Sequence, residues 1–235
     1  MGLAVRIIPT LLAKGTRLVK GRQFSADRVV GHVQQAATVH QTRGVDELIV
    51  LDVTASKEGR GPDCEAVERL TAACFMPITV GGGVRSCNDV AALLHAGADK
   101  VSVKTAWDAD PGLLWELSGR FGCQAIVAAV DTDDHATAIL RAAQAECMGA
   151  GEILLTSIMR EGTMQGYDTE MIKHVCDTVS IPVIAHGGCS GPDDMLAAIK
   201  AGASAVAAGA LFQFTDHTPR SCAEWLADQG VEVRL

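Results

Sequence analysis

Glycine follows three short apolar segments of this chain: residues 81–83 and 187–188 come after Val- and Ile-rich runs, and Gly209 comes after an Ala-rich one. Glycine lets backbone N–H groups approach an oxyanion closely, and the N-terminus of a following helix adds a favourable dipole. The alternative is that these glycines only turn the chain. We interpret their repeated placement as two phosphate sites, with these candidate ligands: Gly82, Gly83, Lys104, Thr105, Gly162, Gly187, Gly188, Ala208 and Gly209.

Single charged residues stand at the ends of other apolar runs. Asp52 and Asp131 each end one, and a carboxylate there could act as a general acid or base, or could cap the next helix. For Asp131 we favour the catalytic role. Lys20 follows the first apolar run and Lys104 the fourth, where a cation can meet an anionic ligand, although Lys is usually solvated. The predicted catalytic residues are Asp131 and Lys20.

Four more charged residues stand at the beginnings of apolar runs, with signs that alternate along the chain. They are Arg6, Glu47, Lys100 and Glu152. Buried charges are costly unless each is paired, so we expect these side chains to pair with one another. Such a cluster could be a structural plug, or a gate that admits a small polar molecule from a partner.

Eight short apolar runs and the helix-like segments between them must position these residues. The runs are rich in Val, Ile, Leu and Ala and lack clean apolar–polar alternation, which is typical of parallel strands covered on both faces. They span residues 5–9, 48–52, 78–80, 100–103, 125–131, 153–156, 183–185 and 205–208. Helices are predicted at residues 26–43, 63–74, 87–96, 111–121, 168–179 and 192–201.

Strands that alternate with helices predict a single (β/α)8 TIM barrel over residues 1–235, since such barrels have about 250 residues. A shift of 105 positions superposes the segment after Pro77 on that after Pro182, and Asp89 on Asp194. We infer two duplicated half-barrels, at about 1–120 and 121–235. A doubly wound open sheet is the alternative. In a barrel, the strand ends form the active-site mouth and the strand starts form the opposite face.

Composition excludes several classes of function. With 20 Lys and Arg against 28 Asp and Glu, and a formal charge of −8, the chain has no global attraction for nucleic acid or anionic lipid. No apolar stretch approaches the ~20 residues that span a bilayer. The eight Cys occur singly, and no His spacing suggests a metal site. We expect a cytoplasmic protein without metal or organic cofactor, and with no nucleic-acid or membrane partner.

Motifs along nearly the whole chain resemble the cyclase subunit of imidazole glycerol phosphate synthase (HisF), a half-barrel-duplicated TIM barrel of histidine biosynthesis. The matching stretches are Arg-Ile-Ile-Pro (6–9), Val-Lys-Gly (19–21), Asp-Glu-Leu-Ile-Val-Leu-Asp-Val-Thr-Ala-Ser (46–56), Thr-Val-Gly-Gly-Gly-Val-Arg-Ser (79–86), Ala-Gly-Ala-Asp-Lys-Val-Ser (96–102), Gly-Ala-Gly-Glu-Ile-Leu-Leu-Thr-Ser (149–157), Gly-Thr-Met-Gln-Gly-Tyr-Asp (162–168) and Ile-Pro-Val-Ile-Ala (181–185).

The resemblance implies an elongated bisphosphate substrate across the mouth, with one phosphate held in each half. It also implies a glutaminase partner docked on the opposite face, whose ammonia travels up the barrel core. The family's first-loop lysine corresponds to Lys20, and its strand-five aspartate to Asp131. Its ammonia gate corresponds to Arg6, Glu47, Lys100 and Glu152.

The chain departs from the family pattern at the mouth. Leu12 stands where the family has a second catalytic aspartate, and an apolar side chain cannot transfer a proton. Only 17 residues separate Asp131 from Gly149, where the family has a longer loop. Lys104 replaces an asparagine, and Glu161 replaces an aspartate. Either of two neighbours of Asp131 could substitute for the missing carboxylate: Asp133 or Asp134.

The chain keeps all four gate residues of the family at the strand starts but departs from the family at the mouth. This combination resembles the HisF-like paralogues of surface-polysaccharide pathways. The leading hypothesis is a barrel that conducts ammonia from a glutaminase to a separate sugar amidotransferase, with little or no cyclase activity. The alternative is an active cyclase that uses Asp131 alone, on the histidine-pathway substrate or on another phosphorylated one. A third possibility is a scaffold in which the four paired charges are only a plug.

Overall fold

The computed structural model describes residues 4–234, except the side chains of Ala26 and Asp27. Eight parallel strands form a barrel that closes because the first pairs with the last. The strands in chain order are β1 (Arg6–Lys14), β2 (Arg17–Arg22), β3 (Ser25–His32), β4 (Leu48–Asp52), β5 (Ile78–Gly81), β6 (Lys100–Val103), β7 (Ile126–Asp131), β8 (Glu152–Thr156), β9 (Val183–His186) and β10 (Ala205–Ala208). Strands β1 and β4–β10 form the barrel, which confirms the predicted fold class against the open sheet. The half-barrel duplication stays a prediction.

Helices surround the barrel and fill the connections between its strands. They are α1 (Val33–Thr42), α2 (Cys64–Thr71), α3 (Cys87–His95), α4 (Thr105–Ala109), α5 (Gly112–Phe121), α6 (His135–Cys147), α7 (Thr169–Cys176), α8 (Pro192–Lys200), α9 (Ala210–Phe214) and α10 (Pro219–Asp228). Several begin at a polar side chain that accepts a hydrogen bond from the first turn, as Asp63 does from the Ala66 N–H at 3.0 Å. Such caps satisfy donors that the helix itself leaves without partners. None of the helices described over residues 4–234 is long and apolar enough to cross a membrane.

The prediction of a helix over residues 26–43 is wrong in its first part. β1 continues to Lys14, and the chain then forms an antiparallel hairpin of β2 and β3 before α1 begins at Val33. Val19 of β2 pairs with Val29 of β3, and β-branched residues favour such pairing over a helix. Lys20 therefore lies on a strand of this hairpin and not in a loop.

Two apolar clusters stabilise the barrel. The larger lies between the strands and the surrounding helices, and the smaller lies inside the barrel. The inner cluster consists of Ile8, Ile49, Val127, Ala129, Leu154, Ile184, Ala205 and Ala207, with Leu51 packed against it. This cluster separates the strand starts from the strand ends, so polar chemistry at the two ends of the barrel is separated by an apolar interior.

Candidate functional site

The four charged side chains expected to pair meet at the N-terminal ends of the barrel strands. Arg6 Nη1 lies 2.7 Å from Glu47 Oε2 and 3.1 Å from Glu152 Oε1. Lys100 Nζ lies 3.2 Å from Glu47 Oε2 and 3.0 Å from Glu152 Oε1. Each cation contacts both anions, so the four form a closed charge ring. Their side chains are 4–19% exposed, which leaves the ring partly open to solvent at this face.

Thr79 contacts the charge ring and was not among the residues predicted from the sequence. Its hydroxyl on β5 donates a hydrogen bond of 2.7 Å to Glu47 Oε1. Glu47 is 3% exposed, and this bond adds a partner to those that Arg6 and Lys100 supply. Thr79 lies inside a predicted strand. That its side chain points into the barrel could have been inferred only from the alternation of side chains between the two faces of a strand.

A cavity of about 230 Å³ opens at the opposite end of the barrel, and we refer to it as the mouth cavity. Asp131 at the end of β7 lines it, together with Leu12 of β1. Leu12 is 7% exposed and pairs with Leu51 of β4, so this side of the cavity is apolar. Four of the predicted phosphate ligands line the same cavity: Gly82, Gly83, Lys104 and Thr105.

A second, narrower cavity of about 20 Å³ adjoins the mouth cavity and contains the remaining predicted phosphate ligands. They are Gly162, Gly187, Gly188, Ala208 and Gly209. Lys20 lines it as well, and its Nζ lies 3.4 Å from the Thr10 carbonyl oxygen and so close to Gly209 that no Cβ would fit there. Burial lowers the pKa of Lys20 to about 8, although the Glu161 carboxylate opposes this shift.

Two of the glycines have positive φ and contact backbone or side chains that a Cβ would displace. At Gly83, with φ +74°, a Cβ would lie 2.8 Å from the Ala55 Cβ. At Gly188, with φ +101°, it would overlap the Gly166 carbonyl oxygen. Chain packing by itself therefore requires glycine at both positions, whether or not a phosphate binds beside them.

Asp131 is largely buried, and its ionisation differs from that of an ordinary aspartate. Burial raises its pKa to about 6, against the opposing effects of the Lys104 cation and a hydrogen bond from Thr156. Lys104 Nζ lies 3.8 Å from Asp131 Oδ2. A carboxyl group with a pKa near 6 can donate or accept a proton close to neutral pH, as a general acid or base must.

His186 contacts Thr156, the residue that hydrogen-bonds to Asp131. Its Nδ1 lies 3.1 Å from Thr156 Oγ1, and burial together with the Lys20 cation lowers the pKa of His186 to about 3. The imidazole is therefore neutral at physiological pH. A threonine hydroxyl has one proton, so when Thr156 donates to Asp131, His186 must donate to Thr156.

Lys104 is held between two carboxylates. Its Nζ lies 2.9 Å from Asp108 Oδ2, in addition to its contact with Asp131. Asp108 also pairs with Arg141, whose guanidinium lies 3.7 Å above the centre of the Trp107 ring. The Lys104 side chain is 39% exposed at the rim of the mouth cavity, where it can reach an anion.

Other acidic residues around the mouth have structural partners. Asp52 Oδ1 accepts the Thr54 and Ala55 N–H groups, and its Oδ2 lies 2.7 Å from Arg60 Nη2. Asp133 accepts from the Ser157 hydroxyl at 2.8 Å, and Asp134 caps α6. Neither Asp133 nor Asp134 is among the residues that line the mouth cavity with Leu12 and Asp131. Across residues 4–234, no group of three or more His, Cys, Asp or Glu is arranged to hold a metal ion.

Comparison with known proteins gives the family. Residues 6–218 match the family model described as "Histidine biosynthesis protein". The chain belongs to this family. It is 43% identical over 257 aligned positions, covering 100% of both chains, to "Imidazole glycerol phosphate synthase subunit HisF" of Corynebacterium diphtheriae. It is also 39% identical over 247 positions, covering 99% of both, to "Putative imidazole glycerol phosphate synthase subunit hisF2" of Campylobacter jejuni. Identity at this level over full length confirms the predicted HisF family.

The raised pKa of Asp131 is directly measurable. In the ¹³C-detected carboxyl spectrum of the protein, we expect Asp131 to titrate with a midpoint of about 6. Thr156→Val removes a hydrogen bond to the carboxylate, so it should raise this midpoint further. Asp134 is the internal control, since the Thr137 hydroxyl and N–H lower its pKa. A midpoint for Asp131 near the ordinary 3.9 would contradict the proposed burial.

Proposed function

We propose that this barrel receives ammonia from a glutaminase docked at the charge ring and passes it through its interior to the mouth, for use by a separate sugar amidotransferase. Cyclase chemistry at the mouth is weak or lost, and phosphate sites remain there. The observation on which this depends is the asymmetry between the two ends of the barrel. The charge ring has all four of its members, whereas Leu12 occupies the place of a catalytic carboxylate.

The ring and the interior above it suit the passage of a neutral molecule. Arg6 and Lys100 are each bound to two carboxylates, so a glutaminase contact that draws one cation away would leave the rest of the ring partly paired. The interior cluster beyond the ring combines the small side chains of three alanines with larger aliphatic ones, so its walls are apolar throughout. Apolar walls favour uncharged ammonia over ammonium, because an unpaired ion there would be strongly destabilised.

The mouth lacks half of the acid–base machinery that ring closure needs. General acid–base assistance contributes typically ~10²–10⁴-fold to a rate, and Asp131 has no carboxylate partner at Leu12. The phosphate ligands and Lys20 nevertheless surround two adjoining cavities. This combination favours retained binding of a phosphorylated small molecule with little turnover.

An active cyclase of histidine biosynthesis is the second candidate. Asp131 favours it, since its pKa of about 6 suits proton transfer near neutral pH. In that case the Lys104 ammonium, 3.8 Å away, would stabilise the ionised carboxylate and would have to remain in place during turnover. The relative from Corynebacterium diphtheriae is named as a subunit of imidazole glycerol phosphate synthase, which also agrees with it.

A cyclase assay with an ammonium salt at high pH separates the two candidates, because it needs no glutaminase. Given the histidine-pathway bisphosphate substrate, we expect negligible turnover by the natural chain and an increase of ~10²-fold for Leu12→Asp, which restores an acid–base group. The matched control is Leu51→Asp, on the neighbouring strand of the same cavity wall. Rapid turnover of the bisphosphate substrate by the natural chain, abolished in Asp131→Asn, would instead establish cyclase activity.

The charge ring is tested through the glutaminase. Lys100→Met leaves Glu47 and Glu152 with Arg6 as their only cation in the ring, and breaking a buried pair typically costs ~3–5 kcal/mol. We expect the glutamine hydrolysis rate of a HisH-type glutaminase mixed with the barrel to change by about tenfold, a factor equivalent to ~1.4 kcal/mol and so to only part of that cost. Lys173→Met removes an exposed ion pair with Asp177 and serves as control. Equal rates for all three proteins would rule out coupling between the charge ring and the glutaminase.

Phosphate binding at Lys20 should depend on pH. Burial lowers the pKa of this lysine to about 8, so the free protein has the cation below pH 8 and loses it above. The affinity for inorganic phosphate, measured by calorimetry, should therefore fall as the pH rises from 7 to 9. Lys20→Met should bind weakly at both values, while Lys14→Met, an exposed lysine at the end of β1, should behave like the natural chain. A constant affinity across this range would count against a phosphate contact by Lys20.

A further inference from the structure

Two opposite walls of the mouth cavity differ in polarity. On one wall, Asp131, Thr156 and His186 lie side by side on three neighbouring strands, because Asp131 pairs with Thr156 and Thr156 pairs with His186. Each of them follows a member of the inner cluster by two residues, so its side chain points into the barrel. Across the closed barrel, Leu12 of β1 and Leu51 of β4 line the same cavity. The polar groups on β7, β8 and β9 therefore face an apolar wall.

The three polar side chains form a chain of hydrogen bonds. Thr156 Oγ1 lies 3.1 Å from His186 Nδ1, and the Thr156 hydroxyl also bonds to the Asp131 carboxyl. Thr156 is 2% exposed and His186 is 8% exposed, so bulk water does not compete strongly for these bonds. Among the described residues, no protein group hydrogen-bonds to Nε2 of His186. The chain thus begins at a carboxyl group and ends at a free ring nitrogen.

His186 stands where the two cavities of the site meet. It lines both the mouth cavity and the narrow cavity, and Glu161 is another residue that does so. A ligand that extends from one cavity into the other must pass beside His186. Its second ring nitrogen is therefore placed to contact such a ligand.

The number of available protons fixes the direction of the hydrogen-bond chain. A hydroxyl group has one proton, and a neutral imidazole has one N–H. When Asp131 is ionised it only accepts, so Thr156 donates to it, His186 Nδ1 donates to Thr156, and Nε2 is left as an acceptor. When Asp131 is protonated and donates to Thr156, Thr156 donates to Nδ1. The imidazole proton is then on Nε2, which becomes a donor.

Charged groups on neighbouring elements keep the imidazole neutral while Asp131 titrates. Burial, together with the Lys20 cation on β2, lowers the pKa of His186 to about 3. Burial raises the pKa of Asp131 to about 6. The other charged groups that act on Asp131 are Lys104, Asp108 and Glu161. Between pH 5 and pH 8, a change at Asp131 therefore reaches His186 as a change of tautomer and not of charge.

We propose that His186 selects the ligand of the mouth: its Nε2 accepts a hydrogen bond from the ligand while Asp131 is ionised, and donates one while Asp131 is protonated. With Asp131 ionised, the group bound at this point is a hydrogen-bond donor such as a hydroxyl or an amine. With Asp131 protonated, it is an acceptor such as a phosphate or carbonyl oxygen. The inference goes beyond the proposed function, because it requires neither passage of ammonia nor ring closure.

Long-range ¹H–¹⁵N NMR of the full-length protein measures which ring nitrogen of His186 has the proton. The chain has seven His, so the signals are assigned by their loss in His186→Asn. We expect the proton on Nδ1 at pH 8 and on Nε2 at pH 5, with a midpoint of about 6 that matches the titration of Asp131. The same proton position at both pH values would overturn the proposal.

Variants of Thr156 and Asp131 test whether the chain transmits this change. Thr156→Val removes the hydroxyl that joins the two groups, and Asp131→Asn removes the ionisation, so each should give a tautomer that does not change between pH 5 and pH 8. Thr156→Ser retains the hydroxyl and should retain the change. A merely structural role of Thr156 predicts no such division. A tautomer change that persists in Thr156→Val or in Asp131→Asn would contradict the proposed chain.

Sulfate tests the selection itself, since it accepts hydrogen bonds and keeps its charge between pH 5 and pH 8. In His186→Asn the shorter side chain places an amide near Thr156 and leaves no group at the position of Nε2. By calorimetry, we expect this variant to bind sulfate about tenfold more weakly than the natural chain at pH 5 and equally at pH 8. His95→Asn, at an exposed position of α3, is the matched control. An equal loss at both pH values, or no loss at pH 5, would rule out selection by His186.

Discussion

Parallel pairing of β1 with β10 closes the barrel, and the positions of both functional regions depend on that closure. Arg6 pairs with Ala205 and Pro9 with Ala208, at opposite ends of the shared ladder. Because all eight barrel strands run in the same direction, their first residues converge at one end and their last residues at the other. The charge ring and the mouth cavity are therefore placed at opposite ends, with the apolar inner cluster between them.

The two ends handle charge in opposite ways. At the strand starts, Arg6 and Lys100 each contact both Glu47 and Glu152, so every buried charge is compensated. At the strand ends, Asp131 faces an apolar wall, with the Lys104 ammonium and the Thr156 hydroxyl beside it, and burial still raises its pKa to about 6. A paired ring leaves no charge uncompensated, whereas a carboxyl group with a pKa of about 6 can exchange a proton close to neutral pH.

The hairpin of β2 and β3 connects the predicted phosphate ligands to the outer surface. Its inner side places Lys20 against Gly209 in the narrow cavity, and its tip residue Phe24 lines the mouth cavity. Arg28 lies opposite Lys20 in the strand pairing and so shares its side of the hairpin, whereas the neighbouring Val29 points to the other side. Both side chains are exposed. One short element thus combines a predicted ligand contact with exposed side chains.

The sequence by itself determined the barrel and the members of the charge ring, and it has leucine at position 12, where the family pattern that it resembles has an aspartate. Apolar runs buried on both faces define strands so strictly that the bounds of β4, β6 and β10 agree with prediction residue for residue. Only the tertiary structure decided the hairpin, since the segment around Val29 takes its conformation from pairing with Val19. It likewise decided the Thr79 contact and the pKa of Asp131, because burial and distance there depend on strands far apart in the chain.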